Sequence, residues 1–329
     1  MTLYTPAHST APAVRDHAAA AVRAKTILIT GHRGFLGSTV AERLRGDDYT
    51  TVGVGVVNSK YAPVSSCNQD YELEFPDTRF DEIIKDAQPD ALIHCAGTAD
   101  VAASFRDPPT DYRKNVESVA FVVESLRRYA PRCHFVLLSS AAVYGNPRSL
   151  PVREDARCIP ISPYGCHKLF GEQIVEDFVT ERGLQATILR IFSAYGVGLR
   201  KQVVYDLCRK LYDETQDRVE LYGSGDESRD FINALDIAAA VEHVVARNIT
   251  GLYNLACGVE TTIAELADKM LRLSGRQVKV EFTGKSRAGD PLRWQADIHK
   301  LLATGYTSTV TLDEGLHSYI DWFRKTELN

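Results

Sequence analysis

The residues whose types and spacing indicate chemistry are a tyrosine and a lysine in the segment YGCHK. Tyr164 and Lys168 are four residues apart near the start of a predicted helix, Pro163–Thr180, so both side chains leave one face of that helix. A neighbouring ammonium group stabilises a phenolate and lowers the tyrosine pKa. Ser140 ends the preceding predicted strand and could hydrogen-bond a substrate oxygen. Together these residues predict a site that interconverts a hydroxyl and a carbonyl beside a nicotinamide.

A second group of residues, the glycines of TGHRGFLG, predicts where a dinucleotide binds. They follow an apolar strand pattern, Thr26–Thr30, and precede a helical pattern, Ser38–Leu44. Gly31 permits a tight turn, Gly34 lets the backbone approach a pyrophosphate, and Gly37 lets the helix pack on the sheet. The helix N-terminus then faces the phosphates.

The type of dinucleotide is left open by the second predicted strand, Thr51–Val57. An NAD-binding unit usually places a carboxylate at the end of this strand for the ribose 2′-hydroxyl. This chain has Asn58, Ser59 and Lys60 there instead. Arg33, inside the glycine turn, is placed to meet a 2′-phosphate. Both features favour NADP(H); the alternative is that Arg33 lies in solvent and that an asparagine or serine holds the ribose.

Strands and helices alternate through the first part of the chain. Further strands are predicted over Ala91–Gly97, His134–Leu138 and Gln185–Ile191, and further helices over Phe80–Ala87 and Asp111–Tyr129. This alternation predicts an α/β fold with a Rossmann doubly wound parallel sheet in residues 25–191. Beyond residue 192 a smaller mixed α/β lobe, 192–329, is expected to bind the substrate. Its predicted elements are helices Lys201–Asp213, Ile237–Val245 and Thr262–Ser274, and a glycine-bearing loop, Glu220–Asp230.

The composition is that of an ordinary soluble globular protein. Of 329 residues, 44% are hydrophobic and 25% charged, and the formal net charge is −5, without the positive excess typical of nucleic-acid binding. No apolar run is long enough to cross a bilayer. Residues 1–24 lack the pattern of a secretory signal and are predicted to be a flexible leader. Seven scattered cysteines predict reduced thiols in a cytoplasmic protein, and no metal site is expected.

As a set, the motifs resemble the extended short-chain dehydrogenase/reductase family, and within it the nucleotide-sugar epimerase/dehydratase branch. The resemblance covers about residues 25–325. The matching segments are GHRGFLG from Gly31, HCAG from His94, Asn115, SSAAVYG from Ser139, YGCHK from Tyr164, LRIFSAYG from Leu189, GSGDESRDF from Gly223 and RAGDP from Arg287.

The resemblance implies three groups of site residues. The implied catalytic residues are Ser140, Tyr164 and Lys168. The implied cofactor-binding residues are Gly31, Arg33, Gly34, Phe35, Leu36, Gly37, Cys95, Ala96, Gly97, Asn115, Tyr164 and Lys168. The implied substrate-binding residues are Ser140, Ser193, Tyr222, Arg229 and Arg287. The two arginines match those that hold the substrate diphosphate, a task that suits a fork of donors. Tyr222 is expected either in the nucleobase pocket or in the core.

Two departures from the family pattern narrow the expected reaction. Family dehydratases carry an Asp–Glu pair after the catalytic serine or threonine, whereas this chain has Ala141 and Ala142, which cannot move a proton. Ser193 replaces an asparagine that usually touches the substrate phosphate. The remaining reaction is redox chemistry at one carbon, most simply C4 of a nucleoside-diphosphate hexose.

Three functions stay open at this point. The first is a 4-epimerase that keeps NAD bound, which we favour; the second is an NADPH-dependent 4-ketoreductase, which Arg33 favours. The third is a catalytically silent nucleotide-binding regulator. The resemblance also implies a homodimer in which the helices Asp111–Tyr129 and Pro163–Thr180 pair as a four-helix bundle, against the alternative of a monomer.

Overall fold

The computed structural model describes residues 24–56 and 65–328. The predicted leader therefore lies outside the described residues except for Ala24, and so do Asn58, Ser59 and Lys60. No helix in these ranges combines the length and apolar character needed to span a membrane.

The strands and helices of the described residues follow in chain order. The strands are β1 (Lys25–Thr30), β2 (Tyr49–Gly55), β3 (Gln69–Glu72), β4 (Ala91–His94), β5 (His134–Ser140), β6 (Ala186–Ile191), β7 (Ser193–Tyr195), β8 (Arg218–Leu221), β9 (Ser228–Asn233), β10 (Gly251–Leu255), β11 (Glu260–Thr262) and β12 (Lys279–Phe282). The helices are α1 (Phe35–Arg43), α2 (Arg79–Ala87), α3 (Val101–Arg106), α4 (Pro108–Tyr112), α5 (Ser118–Tyr129), α6 (Pro163–Arg182), α7 (Gln202–Leu211), α8 (Ala234–Arg247), α9 (Ile263–Ser274), α10 (His299–Leu302) and α11 (Leu312–Glu327).

A seven-stranded parallel sheet forms the centre of the fold. Its strand order is β10-β6-β5-β4-β1-β2-β3. The order reverses between β1 and β4, which are direct neighbours, and in such sheets ligands bind at this point beyond the carboxyl ends of the strands. The predicted doubly wound fold is confirmed.

The sheet is covered on both faces, as the continuous apolar run of β1 requires. Ile27 and Ile29 belong to a core cluster that includes residues of α1 and α8. Leu28, between them, belongs to the cluster on the other face with residues of α2, α5 and α6. Alternate residues of one strand thus fill two separate cores.

The smaller lobe contains two small sheets and the helices α7, α9 and α11. β7 and β11 flank β9, and β12 pairs with β8. The predicted loop Glu220–Asp230 is wrong in part, because it contains the end of β8 and the start of β9. β8 buries only Val219 and Leu221 of its four residues, which is too short a pattern to recognise in sequence.

Two other predictions in the sheet region differ from the structure. The predicted helix Asp111–Tyr129 consists of the end of α4, a π-helical turn at Arg113–Glu117, and α5. β3 was not predicted, because its sequence QDYE is polar and all four of its residues are exposed. The sheet edge that β3 forms nevertheless brings Asp70 beside β2.

A buried ion pair joins α6 to the sheet beneath its carboxyl edge. Arg190 Nη2 on β6 lies 2.7 Å from Glu172 Oε2 on α6, with side chains only 5% and 1% exposed. The Ser139 hydroxyl donates a hydrogen bond to Glu172, and Arg190 donates to the Tyr144 hydroxyl at 2.9 Å. The Tyr144 hydroxyl donates to Asn254 Oδ1 on β10 at 2.7 Å. This network fixes one helix against three neighbouring strands.

Replacing Glu172 by alanine should lower the free energy of unfolding by about 3–5 kcal/mol, because Arg190 would stay buried without its counterion. Urea denaturation followed by circular dichroism measures the change. Glu124→Ala is the matched control, since Glu124 pairs with Arg127 and Arg128 at the surface, where solvent screens the charges. Equal losses in the two variants would contradict the role given to the buried pair.

Candidate active site

A cavity of about 620 Å³ lies beyond the carboxyl edge of the sheet, between the sheet and the smaller lobe. Most of the predicted site residues line this one cavity: Gly34, Phe35, Leu36, Gly37, Cys95, Ala96, Gly97, Ser140, Tyr164, Lys168, Ser193, Tyr222, Arg229 and Arg287. Gly31, Arg33 and Asn115 are not among the residues that line it. The fold therefore brings together groups that are far apart in the chain.

The glycine turn allows three backbone segments to approach each other closely. Gly31 adopts φ +66°, and a Cβ there would lie 2.8 Å from the Ala96 nitrogen. A Cβ on Gly37 would lie 2.1 Å from the Gly31 carbonyl oxygen. α1 begins at Phe35, with Gly34 at its N-cap. The free N–H groups at the start of α1 can bind an anionic group such as a pyrophosphate.

Ser140 and Tyr164 meet where β5 ends and α6 begins. The Ser140 Oγ accepts a hydrogen bond from the Ala142 nitrogen at 3.2 Å, which fixes the serine at the first turn after the strand. Burial raises the pKa of Tyr164 to about 12, the hydrogen bond with Ser140 lowers it, and the charge of Asp111 raises it. The tyrosine hydroxyl is thus protonated at neutral pH and shares its surroundings with the serine hydroxyl.

Lys168 lies one helical turn after Tyr164 and reaches toward the sheet. Its Nζ donates to the Leu138 carbonyl oxygen at 2.9 Å. Burial lowers the pKa of Lys168 to about 8, while the charges of Glu172 and Asp111 raise it. The predicted lowering of the Tyr164 pKa by Lys168 is not observed in this geometry, because the lysine is directed to the main chain of β5 and not to the phenol.

The residues directly after Ser140 form a short 3₁₀ turn, Ala141–Val143. Ala142 lines the cavity, whereas Ala141 is fully buried behind it. Neither side chain can exchange a proton, so the position next to the serine supplies no acid or base.

A buried polar cluster supports the loop after β4, which forms one wall of the cavity. Asn115, in the π-helical turn, donates through Nδ2 to Thr98 Oγ1 at 2.8 Å and to Asp111 Oδ1 at 3.2 Å. His167 Nδ1 lies 2.6 Å from Asp111 Oδ2. A Cβ on Gly97 would lie 2.7 Å from Asn115 Oδ1. Asn115 thus acts beneath the loop, and not directly on the cavity.

The two predicted arginines enter the cavity from the smaller lobe. Arg229 Nη1 donates to the carbonyl oxygens of Ser228 and Pro291, both at 2.8 Å. Burial lowers the pKa of Arg229, and the nearby carboxylates Asp290 and Glu227 raise it. The guanidinium carbon of Arg287 lies 4.1 Å from the ring centroid of Tyr222, which is 50% exposed. Tyr222 therefore lies outside the core, at the same opening as Arg287.

Several residues that position the site were missed by the sequence analysis. Asp111 and His167 pair across 56 positions, and Glu172 pairs with Arg190 across 18. The only signal in the sequence was a spacing of one helical turn from a predicted site residue. Glu172 follows Lys168 by one turn, and Asp111 precedes Asn115 by one turn. Ionisable residues at helical spacing from a site residue are common on solvated faces, so this signal does not single them out.

Comparison with known proteins agrees with this arrangement. The model of the "NAD dependent epimerase/dehydratase family" matches residues 27–256. Among curated proteins, the chain is 28% identical over 323 residues to a UDP-glucose 4-epimerase of Rhizobium leguminosarum bv. trifolii, covering 92% of this chain and 98% of the relative.

Solved structures show the same likeness over nearly the whole chain. A UDP-glucose 4-epimerase from Thermotoga maritima, solved with UDP-glucose, has a TM-score of 0.83 at 28% identity and covers 92% of this chain and 99% of its own. A UDP-glucuronic acid 4-epimerase from Bacillus cereus, solved with UDP-glucuronic acid and NAD, has a TM-score of 0.82 at 25% identity, with 91% and 99% covered.

Gly37→Ala should abolish dinucleotide binding, because the added Cβ would force α1 away from the Gly31 carbonyl oxygen. We expect a loss of affinity of at least about 100-fold, measured by titration calorimetry with NAD on folded, nucleotide-free protein. Gly46→Ala is the matched control, since a Cβ at Gly46 meets nothing within 4 Å. Undiminished binding by Gly37→Ala would exclude the glycine turn as the site.

Proposed function

Because the chain belongs to the NAD dependent epimerase/dehydratase family, we propose that it is a nucleotide-sugar 4-epimerase that works with NAD. The observation that carries the proposal is one cavity shared by Ser140, Tyr164 and Lys168 on the sheet side and by Arg229 and Arg287 on the lobe side. The relatives described above are named as 4-epimerases of UDP-sugars. The proposal therefore favours a UDP-hexose or UDP-hexuronate as substrate.

The residues of the glycine turn fit the cofactor. Gly31 and Gly37 keep open a backbone cradle that Cβ atoms would fill, and the start of α1 offers N–H groups to a pyrophosphate. Lys168 is the residue proposed to hold the nicotinamide ribose. When bound, NAD supplies reversible hydride acceptance and donation.

The side chains of the cavity then account for the proton transfers. Ser140 hydrogen-bonds the C4 oxygen. Tyr164 acts as its phenolate, a form that a nearby positive charge favours and that arises once its own proton has passed to solvent. The phenolate takes the proton of the C4 hydroxyl as the C4–H bond breaks and a 4-keto sugar forms. The keto sugar turns over within the cavity. Hydride then returns to the opposite face of C4 while Tyr164 returns the proton to the oxygen. The substrate regains the electrons and the proton that it lost, so the reaction inverts C4 without net oxidation.

The arginines are proposed to hold the diphosphate while the sugar turns. Arg229 is half-buried, with its Nη1 directed at main-chain oxygens of the lobe, so its position does not depend on the sugar. Arg287 stacks on Tyr222, which places an aromatic ring beside the cavity for a nucleobase. Fixed contacts to the nucleoside diphosphate part of the substrate leave the hexose free to present either face to Tyr164.

Two competing reactions are less well supported. Dehydration needs an acid and a base after the serine, and Ala141 and Ala142 supply neither. A ketoreductase that uses NADPH would need Arg33 for the 2′-phosphate, and Arg33 is ion-paired with Asp70. We therefore propose NAD as the cofactor and epimerisation as the reaction, within carbohydrate biosynthesis in the cytoplasm.

The helices around Tyr164 also support the proposed homodimer. Phe105 on α3, Tyr112 on α4 and Phe170 on α6 are 45%, 39% and 44% exposed. Exposed aromatic side chains on helices that approach each other are typical of a surface that a partner covers. A second copy of this chain, pairing through α5 and α6 with these residues at the margin, is the partner that we propose.

Tyr164→Phe tests the proposed function directly. Removing the hydroxyl should reduce kcat by about 10²–10⁴-fold while leaving NAD binding and the fold intact, because only the proton carrier is lost. Interconversion of UDP-glucose and UDP-galactose and of their uronates, followed by chromatography, measures the rate. Tyr212→Phe is the control, since this tyrosine stacks on Phe323 in the lobe. A fully active Tyr164→Phe enzyme, or a wild type inactive on every nucleotide sugar, would overturn the proposal.

The alkaline side of the pH–rate profile should depend on Lys168. Its pKa is about 8, so the ammonium loses its proton and kcat falls as the pH rises through that value. Glu172→Gln removes a negative charge that raises this pKa, so the fall should move to lower pH. Glu176→Gln, on the exposed face of the same helix, should leave the profile unchanged. A shift to higher pH in Glu172→Gln would contradict the charge effect.

A further inference from the structure

An ion pair next to the glycine turn takes no part in the mechanism described above. Arg33 Nη2 pairs with Asp70 Oδ2, and Arg33 Nε donates to His32 Nε2 at 3.2 Å. The side chains of Arg33 and Asp70 are only 16% and 22% exposed. The guanidinium therefore contacts two described neighbours, at the partly exposed edge that β3 forms.

The backbone of β2 makes room for this arrangement. Asp70 stands opposite Gly53 in the parallel pairing of β3 with β2. A Cβ on Gly53 would lie 2.6 Å from the His32 ring, so the ring occupies the space above this glycine. His32 Nε2 lies 3.7 Å from Asp70 Oδ1, and burial lowers the pKa of His32. His32 is thus a neutral acceptor, and Asp70 is the charged partner of Arg33 within residues 24–56 and 65–328.

The position of this pair bears on the adenosine half of a dinucleotide. NAD-binding units place a carboxylate at the end of β2, whereas an arginine there accommodates the 2′-phosphate of NADP. The described part of β2 has no acidic residue. Asp70 supplies a carboxylate at this edge of the sheet from the neighbouring strand β3. It is ion-paired with Arg33, the arginine that could otherwise bind the 2′-phosphate.

We propose that Asp70 is a specificity-determining residue that makes the cofactor site select NAD over NADP, by neutralising Arg33 and by repelling a 2′-phosphate. This inference rests on the proposed function, because it assumes that a nicotinamide dinucleotide binds at the glycine turn. A 2′-phosphate carries about two negative charges at neutral pH. It would have to displace a charge-assisted pair and lie beside a carboxylate, whereas the uncharged 2′-hydroxyl of NAD meets neither cost.

Asp70→Asn tests the inference, since the amide keeps the shape of the side chain and removes its charge. The ratio of the Kd values for NADP and NAD is measured by titration calorimetry on full-length protein freed of nucleotide with charcoal. We expect the wild type to bind NAD at least about tenfold more tightly, and Asp70→Asn to shift the ratio toward NADP by about tenfold or more. The double variant Asp70→Asn/Arg33→Ala should lose most of that gain, because the arginine is what the phosphate would bind, and should keep only the part that comes from removing the repulsion by Asp70.

Glu42→Gln is the matched control, because Glu42 lies on α1 in an exposed pair with Arg45 and the charge changes in the same way; its ratio should equal that of the wild type. A ratio in Asp70→Asn within about twofold of the wild-type value, or a gain that survives the loss of Arg33 undiminished, would overturn the inference. Failure of the wild type to bind either dinucleotide would instead overturn the proposed function, so the two failures are distinguishable.

Discussion

Helix α6 is held against the end of β5 by two side chains one turn apart, and the geometry of the reacting groups depends on that attachment. Lys168 donates to the Leu138 carbonyl oxygen, and Glu172 accepts from the hydroxyl of the next residue, Ser139. Ser140 follows immediately on the strand, and Tyr164 stands one turn earlier on the helix. A change in the distance between α6 and β5 would therefore separate the Ser140 and Tyr164 hydroxyl groups, which we propose contact the same substrate oxygen.

The two sides of the cavity differ in whether backbone or side-chain atoms line them. On the side of the glycine turn the surface is mostly backbone, because Gly31 and Gly37 let main-chain segments approach to distances that a side chain would prevent. On the side of the smaller lobe the surface includes two long side chains, Arg229 and Arg287, anchored through their own lobe. In the proposed reaction the rigid backbone side would hold a cofactor that stays in place, and the lobe would hold a substrate that must bind, turn and leave.

The sequence predicted those parts of the fold that rest on local patterns. β1, β5 and β6 are predominantly apolar segments with buried centres, and each was expected nearly where it lies. α6 was expected over Pro163–Thr180 and is found over Pro163–Arg182. The glycine turn was recognisable because its spacing follows from backbone geometry. The predicted site residues were identified from motifs, and most of them line the cavity.

What could not be predicted depends on contacts between distant segments. β3 is too polar to be recognised as a strand, and so Asp70 could not be placed beside Arg33. The partner of Glu172 lies on a different element, and no local pattern distinguishes a buried carboxylate from an exposed one. The predicted influence of Lys168 on the pKa of Tyr164 failed for a related reason. Spacing along a helix determines the face on which a residue lies, but not the direction in which a long side chain extends.

The path of the chain between the two lobes has a consequence for how such proteins diversify. After β7 and β9 the chain returns as α8 and β10 to the large sheet, where β10 pairs with β6, and it then leaves again for β11. The smaller lobe is therefore not a contiguous segment of the chain. A recombination event that exchanged one stretch of gene would also remove an edge strand and a covering helix from the sheet. New ligand specificities of the smaller lobe are thus more accessible through point substitutions and loop changes than through exchange of a gene segment.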